Sequence, residues 1–144
     1  MAKTPPFYPQ ETDFSCAVAC LRMVLSHLGV SKTEAELREL CDCTIFGTSA
    51  LELVFAARKL GFAATSKHTL TIADLMELTE HGHFPIVYVI SAPHVPPDVH
   101  SFVVVSATPE HIDVLDPQQG QRRLGIEDFL ERWFPLNNLA IVIA

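Results

Sequence analysis

Cys16 occupies a position in the sequence where a thiol can act as a nucleophile. The polar stretch Gln10–Ser15 runs directly into an apolar segment that predicts a buried helix from Cys16 to about Leu28, ended by Gly29. The first turn of a helix carries unpaired N–H groups and the positive end of the helix dipole. Both favour a thiolate, which is the reactive form of cysteine. Cys20 lies one turn further in, so we expect it to be a small core residue.

A cysteine nucleophile needs a base, and His100 is the strongest candidate among the seven histidines. It leads directly into the most apolar predicted strand, Phe102–Val105, and a polar side chain at the mouth of a core strand has a fixed position. The next strand ends at Asp116. A short turn between antiparallel strands would return this carboxylate to His100, where it orients the ring and favours its charged form. The pattern predicts a Cys16–His100–Asp116 triad.

Gln10 is the candidate for stabilising the negative oxygen that forms during acyl transfer. It precedes Cys16 by six residues, so its side-chain NH2 can reach over the same helix end. Together with the backbone N–H of Cys16 it would form an oxyanion hole. Each residue taken alone has an ordinary explanation, since an isolated cysteine is more often an inert buried thiol. The prediction depends on the four residues together.

The elements that must position these residues are predicted to be helices first and strands afterwards. Three capping-box patterns predict further helix starts, at Ser31 with Glu34, Ser49 with Glu52 and Thr71 with Asp74. The β-rich segments are Phe84–Ile90, Ser101–Ser106, His111–Leu115 and Leu139–Ile143, with a short helix over Asp128–Phe134. This order predicts an α+β fold in which the central N-terminal helix packs on an antiparallel sheet.

Composition limits the remaining possibilities. A length of 144 residues fits a single domain over residues 1–144, and 49% hydrophobic residues exclude a disordered chain. The net charge of −7, with no basic cluster beyond Arg122–Arg123, argues against nucleic-acid binding. The longest apolar run is too short to span a bilayer and the N-terminus does not resemble a signal peptide, so we expect a cytoplasmic chain with reduced cysteines.

The other cysteines and histidines allow a weaker hypothesis of a zinc site. Cys41 and Cys43 form one pair, and His81 and His83 form another. Neither pair has the separation usual for zinc ligands. We therefore predict neither a metal nor another cofactor.

The same residues, taken in order, resemble the bacteriocin-processing peptidases, which are papain-like cysteine peptidases that remove leader peptides after a Gly-Gly pair. The resemblance spans about residues 8–143 and is carried by Gln10, Asp13–Leu21, Pro85–Val89, His100–Val105, Val114–Pro117 and Glu127–Trp133. It implies a papain-like fold and a peptide or protein substrate. It also implies that Cys16 is the nucleophile, His100 the base, Asp116 the residue that orients it and Gln10 the oxyanion donor.

Two positions depart from the family pattern and keep other functions open. The family commonly has Asp-Cys-Gly where this chain has Ser15, Cys16 and Ala17, and an aromatic residue more often stands in place of Ser101. The Ala17 methyl group would narrow the cleft or alter activity. The alternative is therefore a peptidase-like domain that binds a peptide or protein partner without cleaving it. Acyl transfer to an amine would use the same acyl-enzyme. The Pro93–Asp98 loop is expected to edge the cleft.

Overall fold

A computed structural model describes residues 3–91 and 99–144, so the Pro93–Asp98 loop lies outside the described residues. The first helix, α1 (Cys16–His27), begins at the candidate nucleophile, and eight of its twelve residues are buried. This burial agrees with a helix that is apolar on nearly every side. The remaining helices are α2 (Glu34–Leu40), α3 (Ala50–Lys59), α4 (Ile72–Glu80), α5 (Ile126–Trp133) and a 3-10 turn at Phe134–Leu136.

Two of the three predicted capping boxes are confirmed, and the third is wrong. Ser49 with Glu52 opens α3, and Thr71 with Asp74 opens α4. The helix α2 is instead capped by Thr33, whose side chain accepts from the backbone N–H of Glu36 while the Glu36 carboxylate accepts from the Thr33 N–H. Glu34 cannot cap this helix because its side chain is fully buried against other groups. The predicted helix over Asp128–Phe134 starts two residues earlier, as α5.

The strands form one antiparallel sheet of six. They are β1 (Ser66–Thr69), β2 (Ile86–Ile90), β3 (Val99–Ala107), β4 (His111–Asp116), β5 (Gly120–Gly125) and β6 (Leu139–Val142), in the spatial order β1-β6-β2-β3-β4-β5. The sequence did not predict β1 or β5. Both are edge strands, and edge strands carry polar residues that weaken the alternating pattern. The α+β prediction is confirmed.

The sheet buries apolar side chains on both faces. On one face it packs against α1 and α3, with Leu21, Met23 and Leu53 in the core. On the other face it packs against α4 and α5, with Phe129 and Trp133 in the core. The central strands β2 and β3 are therefore fixed from both sides, and β3 carries the candidate base.

The structure also bears on the redox state of the cysteines and on whether a helix could span a membrane. All four cysteines are free thiols, as expected for a reduced chain. Over residues 3–91 and 99–144, none of the helices combines the length and the apolar character that a membrane crossing requires.

Candidate active site

The start of α1 presents Cys16 at a helix end that lacks a side-chain cap. Ser15 is the N-cap residue, but its side chain makes no capping hydrogen bond. Its hydroxyl accepts from the Thr12 N–H at 3.1 Å and donates to the carboxylate of Glu34 at 3.2 Å. The positive end of the helix dipole therefore stays available beside the Cys16 thiol.

A buried carboxylate from α2 holds the segment that precedes Cys16. Glu34 is fully buried, and its Oε1 accepts from the backbone N–H of Glu11 at 2.9 Å while Oε2 accepts from Ser15. The guanidinium of Arg38 lies 3.3 Å from the same Oε2. Because Glu11 and Ser15 bracket the turn before α1, these bonds fix where the helix begins.

His100 and Asp116 form a close, buried pair on neighbouring strands. The Nε2 of His100 lies 2.8 Å from Oδ1 of Asp116. The pairing of Val103 with Leu115 places the end of β4 beside the start of β3. Asp116 is fully buried, and its Oδ1 also accepts from the Gln118 N–H at 2.9 Å. The short turn predicted from the sequence therefore brings the carboxylate back to the imidazole.

The thiol of Cys16 lies in the same cleft as the imidazole of His100. The two side chains are close enough for each to shift the pKa of the other, and Ser101 also affects the thiol. Burial opposes ionisation of Cys16, but the bond to His100 and its charge outweigh burial and lower the pKa of the thiol. Burial also opposes protonation of His100, yet its bonds to Asp116 and Cys16 raise its pKa to about 9. The arrangement favours a thiolate next to an imidazolium.

Cys20 differs from Cys16 in the way that the sequence predicted. It is completely buried, and burial together with repulsion from Cys16 raises the pKa of its thiol well above the usual range. Burial likewise raises the pKa of Cys41 to about 12. Of these three thiols, Cys16 alone has its pKa lowered. Cys20 is therefore a core residue, as expected.

Gln10 lies in the same cleft as Cys16 and His100. Its Nε2 donates to the carbonyl of Thr12 at 2.7 Å, and its Oε1 is buried without a hydrogen-bond partner. A side-chain amide carries two N–H donors, so the bond to Thr12 engages one and leaves the other. Gln10 therefore lines the cleft beside Cys16 and directs one of its two N–H donors to the Thr12 carbonyl.

The cleft around Cys16 has a volume of about 490 Å³. A second groove of about 500 Å³ shares five lining residues with it and continues toward Leu136 and Leu139. Ile45 and Phe46, on the loop between α2 and α3, are 73% and 92% exposed at the rim. The shared lining residues are Phe46, Gly47, Thr48, Tyr88 and Val99. Ala17 also lines the cleft, although only 2% of it is exposed.

Two further residues of this region were not predicted. Arg122 lies 2.9 Å from Oδ2 of Asp116, and Glu34 was assigned to a helix cap instead of the Cys16 segment. No sequence signal marks Arg122, because the strand that carries it is polar. A carboxylate at the start of an otherwise regular helix gives no signal of burial either.

The hypothesis of a zinc site can be compared with the arrangement of possible ligands. Within residues 3–91 and 99–144, no three His, Cys, Asp or Glu side chains are grouped so that they could hold a metal ion.

Comparison with known proteins places the chain in a family. Residues 5–143 match the model of the Peptidase C39 family. The transport/processing ATP-binding protein ComA of Streptococcus pneumoniae is 35% identical over 131 residues, which cover 88% of this chain and 17% of ComA. This chain therefore spans about a sixth of the length of that relative.

Solved structures agree with the sequence match. The peptidase domain of Streptococcus ComA, a bi-functional ABC transporter involved in quorum sensing, superposes with a TM-score of 0.79 at 31% identity and 93% coverage of both chains. A double-glycine-motif protease from an AMS/PCAT transporter, solved with its leader peptide, gives a TM-score of 0.78 at 19% identity, covering 99% of this chain and 94% of that one. The latter likeness concerns the fold alone. The papain-like fold implied by the sequence resemblance is confirmed, and the chain belongs to the Peptidase C39 family of cysteine peptidases.

Proposed function

We propose that this chain cleaves a peptide bond with Cys16 as nucleophile, His100 as acid and base, and Asp116 as the group that orients His100. The observation that carries the proposal is the 2.8 Å contact of the His100 imidazole with the buried Asp116 carboxylate, in a cleft that His100 lines together with Cys16. A thiol, an imidazole and a carboxylate brought together in a cleft are the groups that nucleophilic catalysis of this type requires. We also propose that residues 1–144 act as one peptidase domain.

The first half of the reaction forms an acyl-enzyme. The Cys16 thiolate attacks the carbonyl carbon, a C–S bond forms, and the carbonyl electron pair moves to oxygen. The Cys16 backbone N–H and the second N–H of Gln10 stabilise this oxyanion, and one such donor is worth about 10²–10³-fold in kcat. The intermediate then collapses, the C–N bond breaks, and the His100 imidazolium gives its proton to the leaving amine.

The second half releases the acyl group to water. Neutral His100 removes a proton from water as it attacks the thioester, and the C–S bond breaks to return the thiolate. The imidazolium forms again beside Asp116. General acid–base help of this type contributes about 10²–10⁴-fold. Transfer to an amine would differ only in the group that His100 deprotonates.

The surroundings of Cys16 support a peptide substrate with an apolar segment. The groove that continues from the cleft is lined by Phe46, Val99, Leu136 and Leu139. Ile45 and Phe46 would be costly to leave in water without a partner that covers them. A peptide lying across this rim would bury both side chains while its scissile bond reaches Cys16.

We further propose that cleavage follows a Gly-Gly pair. This specificity is supported by two similar proteins, one a transport/processing protein and the other a double-glycine-motif protease solved in complex with its leader peptide. The Ala17 methyl group and Tyr88 line the cleft near the nucleophile, which favours small substrate residues next to the bond. The free cysteines fit a reducing compartment such as the cytoplasm, where we propose that the chain acts.

The test is cleavage of a synthetic peptide that has an apolar N-terminal segment, one Gly-Gly pair and a short tail, with products identified by mass. We expect one cut, after the second glycine, and at least a hundredfold slower cutting when the pair is Leu-Leu. Cys16→Ala abolishes the cut, whereas Cys20→Ser keeps it and lowers stability. Peptide binding without cleavage by the unmodified chain would reject the peptidase and favour the binding domain.

A further inference from the structure

The carboxylate of Asp116 is shared between two cations. His100 approaches Oδ1 at 2.8 Å, and the Nη1 of Arg122 approaches Oδ2 at 2.9 Å. Only 1% of the Asp116 side chain is exposed, whereas 35% of the Arg122 side chain is. The two oxygens of the carboxylate therefore point to different partners, and neither oxygen can turn away without losing a charged hydrogen bond.

The sheet register explains why Arg122 reaches this carboxylate and Arg123 does not. Arg122 pairs with Val114 and Arg123 pairs with Asp113 across β4 and β5. Successive side chains of a strand point to opposite faces. Val114 is buried on the α5 face, and Arg122 follows it there. Arg123 instead makes a two-point ion pair with Asp113 on the other face, at 2.8 and 3.2 Å.

We propose that Arg122 is a positioning residue of the reaction, which holds Oδ2 of Asp116 so that Oδ1 faces His100 and which balances the charge of the carboxylate. The inference rests on the proposed function of Cys16 and His100. Without Arg122 the buried carboxylate would keep His100 and the Gln118 N–H as partners for one oxygen, and its other oxygen would lose the charged bond.

No other ionisable group near His100 and Asp116 among the described residues takes the role of Arg122. Burial is the largest cause that raises the pKa values of Cys20 in α1 and Tyr88 in β2 well above their usual ranges, so both side chains are neutral. Arg132 of α5 lines a small cavity of about 180 Å³ with His100, Asp116 and Arg122. It lies 3.4 Å from Asp128 and donates to the Ser91 carbonyl. Cys16 is the remaining group, and it lines the same cleft as the imidazole.

Loss of the Arg122 charge should shift the titrations of His100 and Cys16 in one direction. Although burial favours the neutral acid, the bonds from His100, Gln118 and Arg122 lower the pKa of Asp116 to about 2. Without the positive charge of Arg122, the negative charge of Asp116 acts more strongly on the imidazolium of His100, so His100 should hold its proton to higher pH. It also removes a cation that favours the thiolate, so Cys16 should ionise at higher pH. Both titrations should move upward.

The test compares Arg122→Gln with Arg122→Lys and with Arg123→Gln, which removes an equal charge from the same strand. The readouts are the pH midpoint of Cys16 alkylation by iodoacetamide and the alkaline limb of kcat/KM. We expect Arg122→Gln to move both upward by about half a pH unit, a value reduced by the partial exposure of Arg122. Arg122→Lys keeps the charge and should stay near the parent midpoint, as should Arg123→Gln.

The outcomes separate this inference from the proposed function. Unchanged midpoints in Arg122→Gln would overturn the inference, even if the variant unfolds at a lower temperature, because a purely structural role predicts that loss alone. A parent chain that cleaves no peptide would reject the proposed function. The alkylation midpoints would still decide the role of Arg122, since they measure the thiol without a substrate.

Discussion

The backbone N–H of Gln10 donates to the carbonyl oxygen of Pro117 at 2.9 Å. This bond joins the segment before Cys16 to the turn that follows the Asp116 carboxylate. Residues more than a hundred positions apart in the chain are thereby fixed to each other by the backbone itself. Because this bond uses the backbone of Gln10, substitution of the side chain leaves it in place. The contribution of the Gln10 side chain to the reaction can therefore be tested without disturbing the segment that carries it.

The first prediction concerns that side chain. Gln10→Ala removes the proposed oxyanion donor, and we expect kcat to fall about 10²–10³-fold with little change in KM, because the donor acts on charge that exists only in the transition state. Gln10→Glu places an acceptor there and should be at least as slow. Steady-state kinetics on the Gly-Gly peptide measures both. A rise in KM with kcat unchanged would assign Gln10 to substrate binding instead.

The second prediction is a pH profile. The pKa of Cys16 is lowered by His100 against the effect of burial, and that of His100 is raised to about 9 by Asp116 and Cys16, also against burial. The thiolate–imidazolium pair therefore forms below the pH of an ordinary thiol and is lost as pH rises through about 9. We expect kcat/KM to be bell-shaped, with apparent values that belong to the coupled pair.

Alkylation by iodoacetamide checks the acidic side of this profile without a substrate. Cys16 should react well below pH 8.5, the usual range of a free thiol. His100→Ala removes the partner and should return Cys16 to ordinary thiol behaviour. A parent Cys16 that titrates like a free thiol would contradict the ion pair and would favour a binding domain.

The third prediction concerns the buried carboxylate that holds the Cys16 segment. Glu34→Ala removes the acceptor of the Glu11 N–H and leaves the Ser15 hydroxyl only the Thr12 carbonyl, at 3.3 Å. We expect a loss of about 2–4 kcal/mol in the free energy of unfolding, because the Glu11 N–H loses its acceptor and Arg38 keeps only the Glu11 carboxylate, at 3.8 Å. Urea unfolding measures this loss.

Glu36→Ala is the matched control for Glu34, since it removes an exposed carboxylate from the same helix. Glu36 belongs to the capping box of α2, so its loss should lower the free energy of unfolding by less than the loss of Glu34 and leave activity unchanged. Equal losses in the two variants would mean that Glu34 contributes no more than a cap.

The fourth prediction assigns the rim of the cleft to substrate binding. Phe46→Ala removes the most exposed large apolar side chain beside the cleft. We expect KM for a peptide with an apolar N-terminal segment to rise several-fold with kcat nearly unchanged, because the contact exists equally in the ground and transition states. Phe55→Ala removes an exposed phenylalanine of α3 that does not line the cleft and should change neither value.

The sequence indicates which residues come together at this cleft because those residues stand at the ends of regular elements. Cys16 begins a buried helix, His100 lies near the start of a core strand, and Asp116 ends the next strand. Each of these residues lies where a polar and an apolar stretch of the sequence meet. Antiparallel pairing with a short turn then leaves few ways to arrange them.

The residues that were not predicted act through tertiary contacts, which the local pattern of polar and apolar residues does not indicate. Arg122 lies on a polar edge strand, so nothing in the run of residues 120–125 distinguishes it from its neighbour Arg123. Glu34 and Glu36 both follow a hydroxyl residue by three positions, and only tertiary packing against Glu11 and Ser15 decides that Glu34 turns inward. The strand β1 is largely exposed, and its pairing with β6 comes from the rest of the sheet.

The central claim is that His100 activates Cys16 to attack a peptide carbonyl. Its most direct test is the rate at which a peptide vinyl sulfone ending in Gly-Gly alkylates the chain. The thiolate adds to the terminal vinyl carbon, the neighbouring carbon takes up a proton, and the stable thioether is located by mass spectrometry. We predict one adduct, on Cys16, that forms at least a hundredfold more slowly in His100→Ala. An adduct on Cys43 instead, or an equal rate of addition to Cys16 in both chains, would contradict the account.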